Sequence, residues 1–147
     1  MALKERIQED MKAAMRASER ERLGTVRLIL AAIKQREVDE RIALDDTQVL
    51  AVLEKMVKQR RESIAQFQAG GRADLVAKEQ AELALLQTYL PEPLDDASID
   101  ALIGAAVAET GAASVKDMGK VMAILKSKAA GRVDMGALGA RVRSRLS

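Results

Sequence analysis

A chain of 147 residues and 15.9 kDa is long enough for one domain or two small lobes and too short for a large multidomain enzyme. Hydrophobic residues make up 48%, aromatics 1% and charged residues 31%, so the core must be aliphatic and the profile is that of a helical globular protein, not a disordered one. Zero cysteines and zero histidines exclude disulfides, thiol nucleophiles, thiolate or imidazole zinc sites and every Ser-His or Cys-His catalytic arrangement within the chain.

The start, Met1-Ala2-Leu3-Lys4-Glu5-Arg6, is charged and lacks the apolar core of a secretory signal. No uncharged stretch approaches the roughly 18 residues of a membrane span. The expectation is a cytoplasmic protein with no membrane partner.

Leu3, Ile7, Met11 and Met15 recur every four positions and predict a first amphipathic helix. Leu23, Val26, Leu30 and Ile33 predict a second, with Gly24 a soft spot near its start. The charges from Glu37 to Arg41 and the pair Asp45-Asp46 read as a loop, with Asp46 as the N-cap of a third helix. That helix carries Val49, Leu50, Leu53, Met56, Val57, Ile64 and Phe67 and ends at Gly70-Gly71, where a left-handed stop favours glycine. Asp74 caps a fourth, with Leu75, Val76, Leu83, Leu86 and Leu90, and Pro91 stops it, because the residue before a proline is pushed out of helical dihedrals.

Pro91-Glu92-Pro93 marks the boundary between an N-terminal helical lobe, residues 1–91, and a smaller C-terminal three-helix lobe, residues 94–147. There Asp95 is the N-cap that puts Leu94 and Ile99 in hydrophobic-staple positions. Ile99, Leu102, Ile103 and Val107 form the buried stripe, and Gly111 ends the helix. Ser114 with Asp117 has the spacing of a capping box for the next helix, whose stripe is Val115, Met118, Met122 and Leu125 and whose end is Gly131. Asp134 caps a last helix with Leu138, Val142 and Leu146. No segment alternates with period two, so the fold is predicted to be all-α.

The charge is segregated. Residues 1–91 are nearly balanced, and residues 92–113 carry Glu92, Asp95, Asp96, Asp100 and Glu109 with no cation. Residues 114–147 carry Lys116, Lys120, Lys126, Lys128, Arg132, Arg141, Arg143 and Arg145 against only Asp117 and Asp134. A basic tail suits a polyanion such as RNA. The same cations also complement helix C-termini, where Lys126, Lys128, Arg143 and Arg145 fall. With Phe67 and Tyr89 the only aromatics, any RNA contact is to phosphates and shape rather than to stacked bases. Gly119, on a predicted mid-helix site beside Lys120, allows close approach of another helix or of an RNA backbone, with helix packing the favoured reason. Gly119-Lys120 is not a P-loop, since the upstream glycine and the following Ser or Thr are missing.

One buried-charge signal interrupts the N-terminal lobe. Arg60 breaks the apolar stripe of the third helix, and Glu79 and Glu82 break that of the fourth. A hairpin turning at Gly70-Gly71 sets Arg60, or its neighbour Arg61, opposite the two carboxylates. A charge in an apolar seam must be paired, so a structural ion pair is favoured over an acid–base pair.

The run Arg61-Glu62-Ser63, Phe67, Gly71-Arg72, Asp74-Leu75, Glu79, Glu82-Leu83 and Tyr89-Leu90-Pro91-Glu92-Pro93-Leu94 resembles the central signature of the GatB/YqeY family. Asp117-Met118-Gly119-Lys120-Val121-Met122 and Gly131-Arg132-Val133-Asp134 resemble its C-terminal one. The likeness covers nearly the whole chain and is to a stand-alone YqeY-like protein. It implies two helical lobes related to the tail of the B subunit of glutamyl/aspartyl-tRNA amidotransferase, a tail implicated in holding tRNA while the catalytic centres lie elsewhere. The expectation is a non-catalytic RNA-binding accessory protein, with tRNA or another structured RNA as partner through Lys116, Gly119, Lys120, Lys126, Lys128, Arg132, Arg141, Arg143 and Arg145. Amidotransferase or aminoacyl-tRNA synthetase components are the protein partners the resemblance implies. No catalytic residue, metal or cofactor is expected. Two alternatives stand beside it: an auxiliary component of glutamine-dependent amidotransfer, a carbon–nitrogen ligase activity by kinship only, and a protein–protein adaptor using the acidic segment 92–113.

Overall fold

The computed structural model describes residues 1–147 as seven α-helices and one short 3₁₀ turn, without a strand. The protein is all-α. The chain forms two compact units, Met1–Leu90 and Pro91–Ser147.

The first unit holds α1 (Leu3–Arg16), α2 (Arg20–Glu40), α3 (Asp46–Ala69) and α4 (Ala73–Gln87). Its core is aliphatic, with Ile7, Val26, Ile29, Ile33, Val49, Leu53 and Leu86 fully buried beside Tyr89. Burying each of these aliphatic side chains stabilises the unit by about 1.5–3 kcal/mol before entropy is counted. The stripe of α1 runs through Leu3, Ile7 and Met11 to Ala14, because a 3.6-residue period falls about one position behind a four-residue step within three turns. Met15, expected on that stripe, is half-exposed.

The charges around residues 37–41 belong to α2 and its end, not to a loop. Glu37 folds back to accept from Lys4 Nζ at 2.7 Å and from the Leu44 N–H at 2.9 Å. Arg41 closes the helix at φ +57°. The capping residue of α3 is Asp45, one before the expected Asp46. Asp45 accepts from the Gln48 N–H, and Gln48 accepts in turn from the Asp45 N–H, a reciprocal capping box. Asp46 instead accepts from the Leu3 N–H at 2.9 Å, joining the free amides of one helix start to the side chain of another. Asp74 sits in the first turn of α4 rather than capping it. An Arg72 guanidinium 3.2 Å away holds its carboxyl below the usual range.

The second unit holds α5 (Asp96–Thr110), a 3₁₀ turn (Val115–Asp117), α6 (Met118–Ala129) and α7 (Met135–Leu146). Ile99, Ile103, Val121, Leu125, Leu138 and Val142 form its core, with Leu94 packed against them. Asp95 caps α5 through the Ser98 N–H at 2.7 Å, and Asp134 caps α7 through the Ala137 N–H at 3.0 Å. Gly111 and Gly131 take the left-handed conformation that ends α5 and follows α6. The Ser114–Asp117 capping box does not form: Ser114 makes no cap, and Asp117 accepts from the Ala113 N–H at 3.0 Å. The chain therefore enters α6 through the 3₁₀ turn. This leaves Val115 exposed and puts Gly119 in the first helical turn, not at mid-helix.

Candidate nucleic-acid interface

The basic residues of the second unit divide by what surrounds them. Arg141 on α7 reaches across to α5, where Nη1 donates to Asp96 Oδ1 at 3.0 Å and Nη2 donates to Asp100. The carboxylate of Asp100, then that of Asp96, raises the guanidinium pKa. One turn further on, Arg145 lies over Gly104 of α5, close enough that a Cβ there would meet a guanidinium nitrogen at 3.2 Å. Asp96, Asp100 and Gly104 stand four apart on one helix, and Arg141 and Arg145 four apart on the other, so two parallel i, i+4 rows meet. Sequence reading missed Gly104. The shared four-residue spacing was the signal.

Two more cations are engaged. Arg132 donates from Nε to the Glu92 carbonyl at 2.9 Å, and its own carbonyl accepts from the Leu94 N–H. Lys128 stands 3.8 Å from Glu109, with both side chains mostly in solvent, a loose pair of little energetic consequence. Arg141 and Arg132 thus act first as fastenings of this unit, while Arg145 is exposed and lies over Gly104 without an ion pair.

Lys116, Lys120, Lys126 and Arg143 are exposed and outside any ion pair. They do not share one face. At about 100° per residue, Lys120 and Lys126 project roughly 120° apart around α6, whose core side carries Val121, Leu125 and Ala129. Lys116, Gly119 and Lys120 fall within five consecutive residues, where the 3₁₀ turn runs into α6. Gly119 is open, since a Cβ there would meet nothing within 4 Å. Helix packing is therefore not the reason for that glycine. Asp117 lies in the same turn, its carboxyl held below the usual range first by the Ala113 N–H and also by the charge of Lys120.

In the first unit, Arg60 Nε lies 2.7 Å from Glu82 Oε2 and 3.4 Å from Glu79 Oε2, with all three side chains under a fifth exposed. The approach is poorly aligned, so Arg60 Nε and Glu79 Oε2 are left without a hydrogen bond. Arg61 is exposed and takes no part. A second polar anchor was not foreseen. Tyr89 donates to Asp10 Oδ2 at 2.6 Å, and Arg6 lies 5.1 Å from its ring centroid. Burial first, and the Asp10 carboxylate second, push the phenol pKa well above its ordinary value.

No single helix is long and apolar enough to cross a membrane. Among known proteins, the chain is similar to altered inheritance of mitochondria protein 41, mitochondrial, of several fungi. It is 44% identical to that of Eremothecium gossypii over 57% of this chain and 46% of the relative. Identity to the Pyrenophora tritici-repentis protein is 35% over 84% of this chain and 71% of the relative. For Kluyveromyces lactis it is 38% over 56% and 45%. The chain spans about half the length of most of these relatives. Their names overturn the cytoplasmic expectation, which rested on a charged start and the lack of an apolar span. Neither feature separates one aqueous compartment from another. The model of the family described as Yqey-like protein matches residues 4–146, and the chain belongs to that family.

Proposed function

We propose that the protein is a non-catalytic accessory that binds structured RNA, tRNA in the first instance, through phosphate contacts made by its second unit. The observation that carries this reading is the exposed turn where Lys116 and Lys120, free of ion pairs, flank a glycine whose α-carbon faces open space. Cations beside a bare backbone suit a phosphate, whose charge the lysines complement. The resemblance of this segment to the tRNA-holding tail of an amidotransferase subunit supports the same reading. Lys126 and Arg143 add charge at other points of the unit. Arg141 contributes to its architecture instead.

Four free cations set the expected salt dependence. Neutralising about four phosphates costs roughly a hundredfold in affinity between 50 and 200 mM salt. Binding of the full chain to bulk tRNA at those two concentrations tests the proposal. A steep loss with salt supports it, and no binding at the lower concentration contradicts it.

A further inference from the structure

α2 is apolar on two opposite faces. One face enters the core through Val26, Ile29 and Ile33. The other is open to solvent and carries Gly24, Leu28, Ala31, Gln35 and Val38, at spacings of four, three, four and three. That is the alternation of the a and d positions of a heptad. Leu28 is 47% exposed and Val38 59%, and a Cβ on Gly24 would meet nothing within 4 Å. Past the end of the helix the seam continues in Ile42, 42% exposed. Ile42 shares with Lys34, Val38, Arg41 and the Lys4–Glu37 ion pair the wall of a shallow concavity of about 340 Å³.

Along one edge of the seam run Arg20, Arg27, Lys34 and Arg41, each seven residues after the last and all exposed. With Leu28 at position a, these are the g positions. The ion pairs that α2 does make use Arg22, Arg36 and Glu37, so no member of the row is held in an ion pair over roughly 30 Å, and the charge of Lys34 acts only as one of several influences that lower the Glu37 pKa. On the other edge lie Ala32 and Asp39, the latter accepting from Gln35 Nε2 at 2.9 Å.

We propose that this second face of α2 docks an amphipathic helix of another protein, one whose apolar seam is flanked by acidic residues. Small residues at 24 and 31 admit a close backbone, Leu28, Val38 and Ile42 supply the buried contacts, and the cation row selects the charge of the incoming helix. A second copy of this chain fits poorly. Antiparallel pairing sets the two g rows against each other, and parallel pairing matches Lys34 with Asp39 of the second copy while Arg20 and Arg27 meet Thr25 and Ala32. Phosphates alone would leave the exposed aliphatic side chains without a role. The site lies in the first unit and stands apart from the RNA reading of the second.

The test titrates the full chain with a synthetic helix of about 24 residues carrying Leu at a and d and Glu at e and g, whose own Glu rows keep it from self-pairing. A matched peptide with Lys at e and g is the control. The Glu-flanked peptide is expected to bind and to shift amide signals of α2, and the Lys-flanked peptide to bind at least about tenfold more weakly. Leu28→Asp and Val38→Asp should each weaken binding about tenfold, with thermal melting confirming that these surface variants fold. Arg27→Glu with Lys34→Glu should reverse the preference between peptides. Equal affinity for both peptides, or no binding of either, overturns the proposal. So does loss of RNA binding in Arg27→Glu/Lys34→Glu with no effect of Val38→Asp on any ligand, which would assign the row to nucleic acid.

Discussion

The cations of α2 and those of α7 are built from the same residue types at regular helical spacing, yet their surroundings differ. Arg20, Arg27, Lys34 and Arg41 repeat every seven residues, are exposed and make no ion pair. Arg141 and Arg145 repeat every four and are turned onto α5, one against Asp96 and Asp100, the other over Gly104. The basic segment that dominates the charge pattern of the sequence is thus partly consumed by its acidic neighbour, the 92–113 segment. A row hidden within a nearly neutral region is left available. Net charge of a segment is a poor guide to accessible charge, because opposite charges within about 4 Å satisfy each other first.

This contrast can be broken at several points. The largest effect is expected where a cation is least exposed. Arg60→Ala leaves Glu79 and Glu82 facing each other in the α3–α4 seam and should cost about 1–3 kcal/mol, read from denaturant unfolding. Tyr89→Phe removes the hydrogen bond to Asp10 and should cost about 1–2 kcal/mol. Its pH signature has a definite sign. The folded state holds the phenol proton more tightly than the unfolded one, so stability from this group is present below pH of about 10 and falls as pH rises past it. Unfolding curves at alkaline pH should show that slope in the wild type and a shallower one in the Phe variant. Next comes Arg141→Gln, which should lower the melting temperature of the second unit slightly, while Arg27→Gln leaves melting unchanged. An equal loss in both would erase the distinction between the two rows. Smallest is Gly119→Ala, which adds a methyl group in open space and should raise stability by up to about 1 kcal/mol while weakening RNA binding.

Helices were legible because their signals are local. The Asp95 and Asp134 caps, the glycine stops at 111 and 131 and the aliphatic stripes all act within a few residues of themselves. Boundaries failed where distant groups intervened. Glu37 was read as a loop residue, but Lys4 and the Leu44 amide give it partners that keep the helix intact around it. Met15 failed because a strict four-residue step outruns the helical period. The candidate site was less legible than the fold. Counting cations could not reveal that Arg132 ties itself to Glu92, or that Arg141 meets two acids more than forty positions away. The heptad row on α2 was present in the sequence, but only the open face opposite the core gives it meaning.

On the proposed reading, free cations, not total charge, hold RNA to the second unit. The most direct test of that reading compares two variants that each remove one positive charge, Lys120→Gln and Arg141→Gln, in tRNA binding across a salt series. The account predicts that Lys120→Gln lowers the salt slope by about 1 with a clear loss of affinity, whereas Arg141→Gln binds as the wild type does. Equal losses in the two variants, or a loss confined to Arg141→Gln, would contradict it.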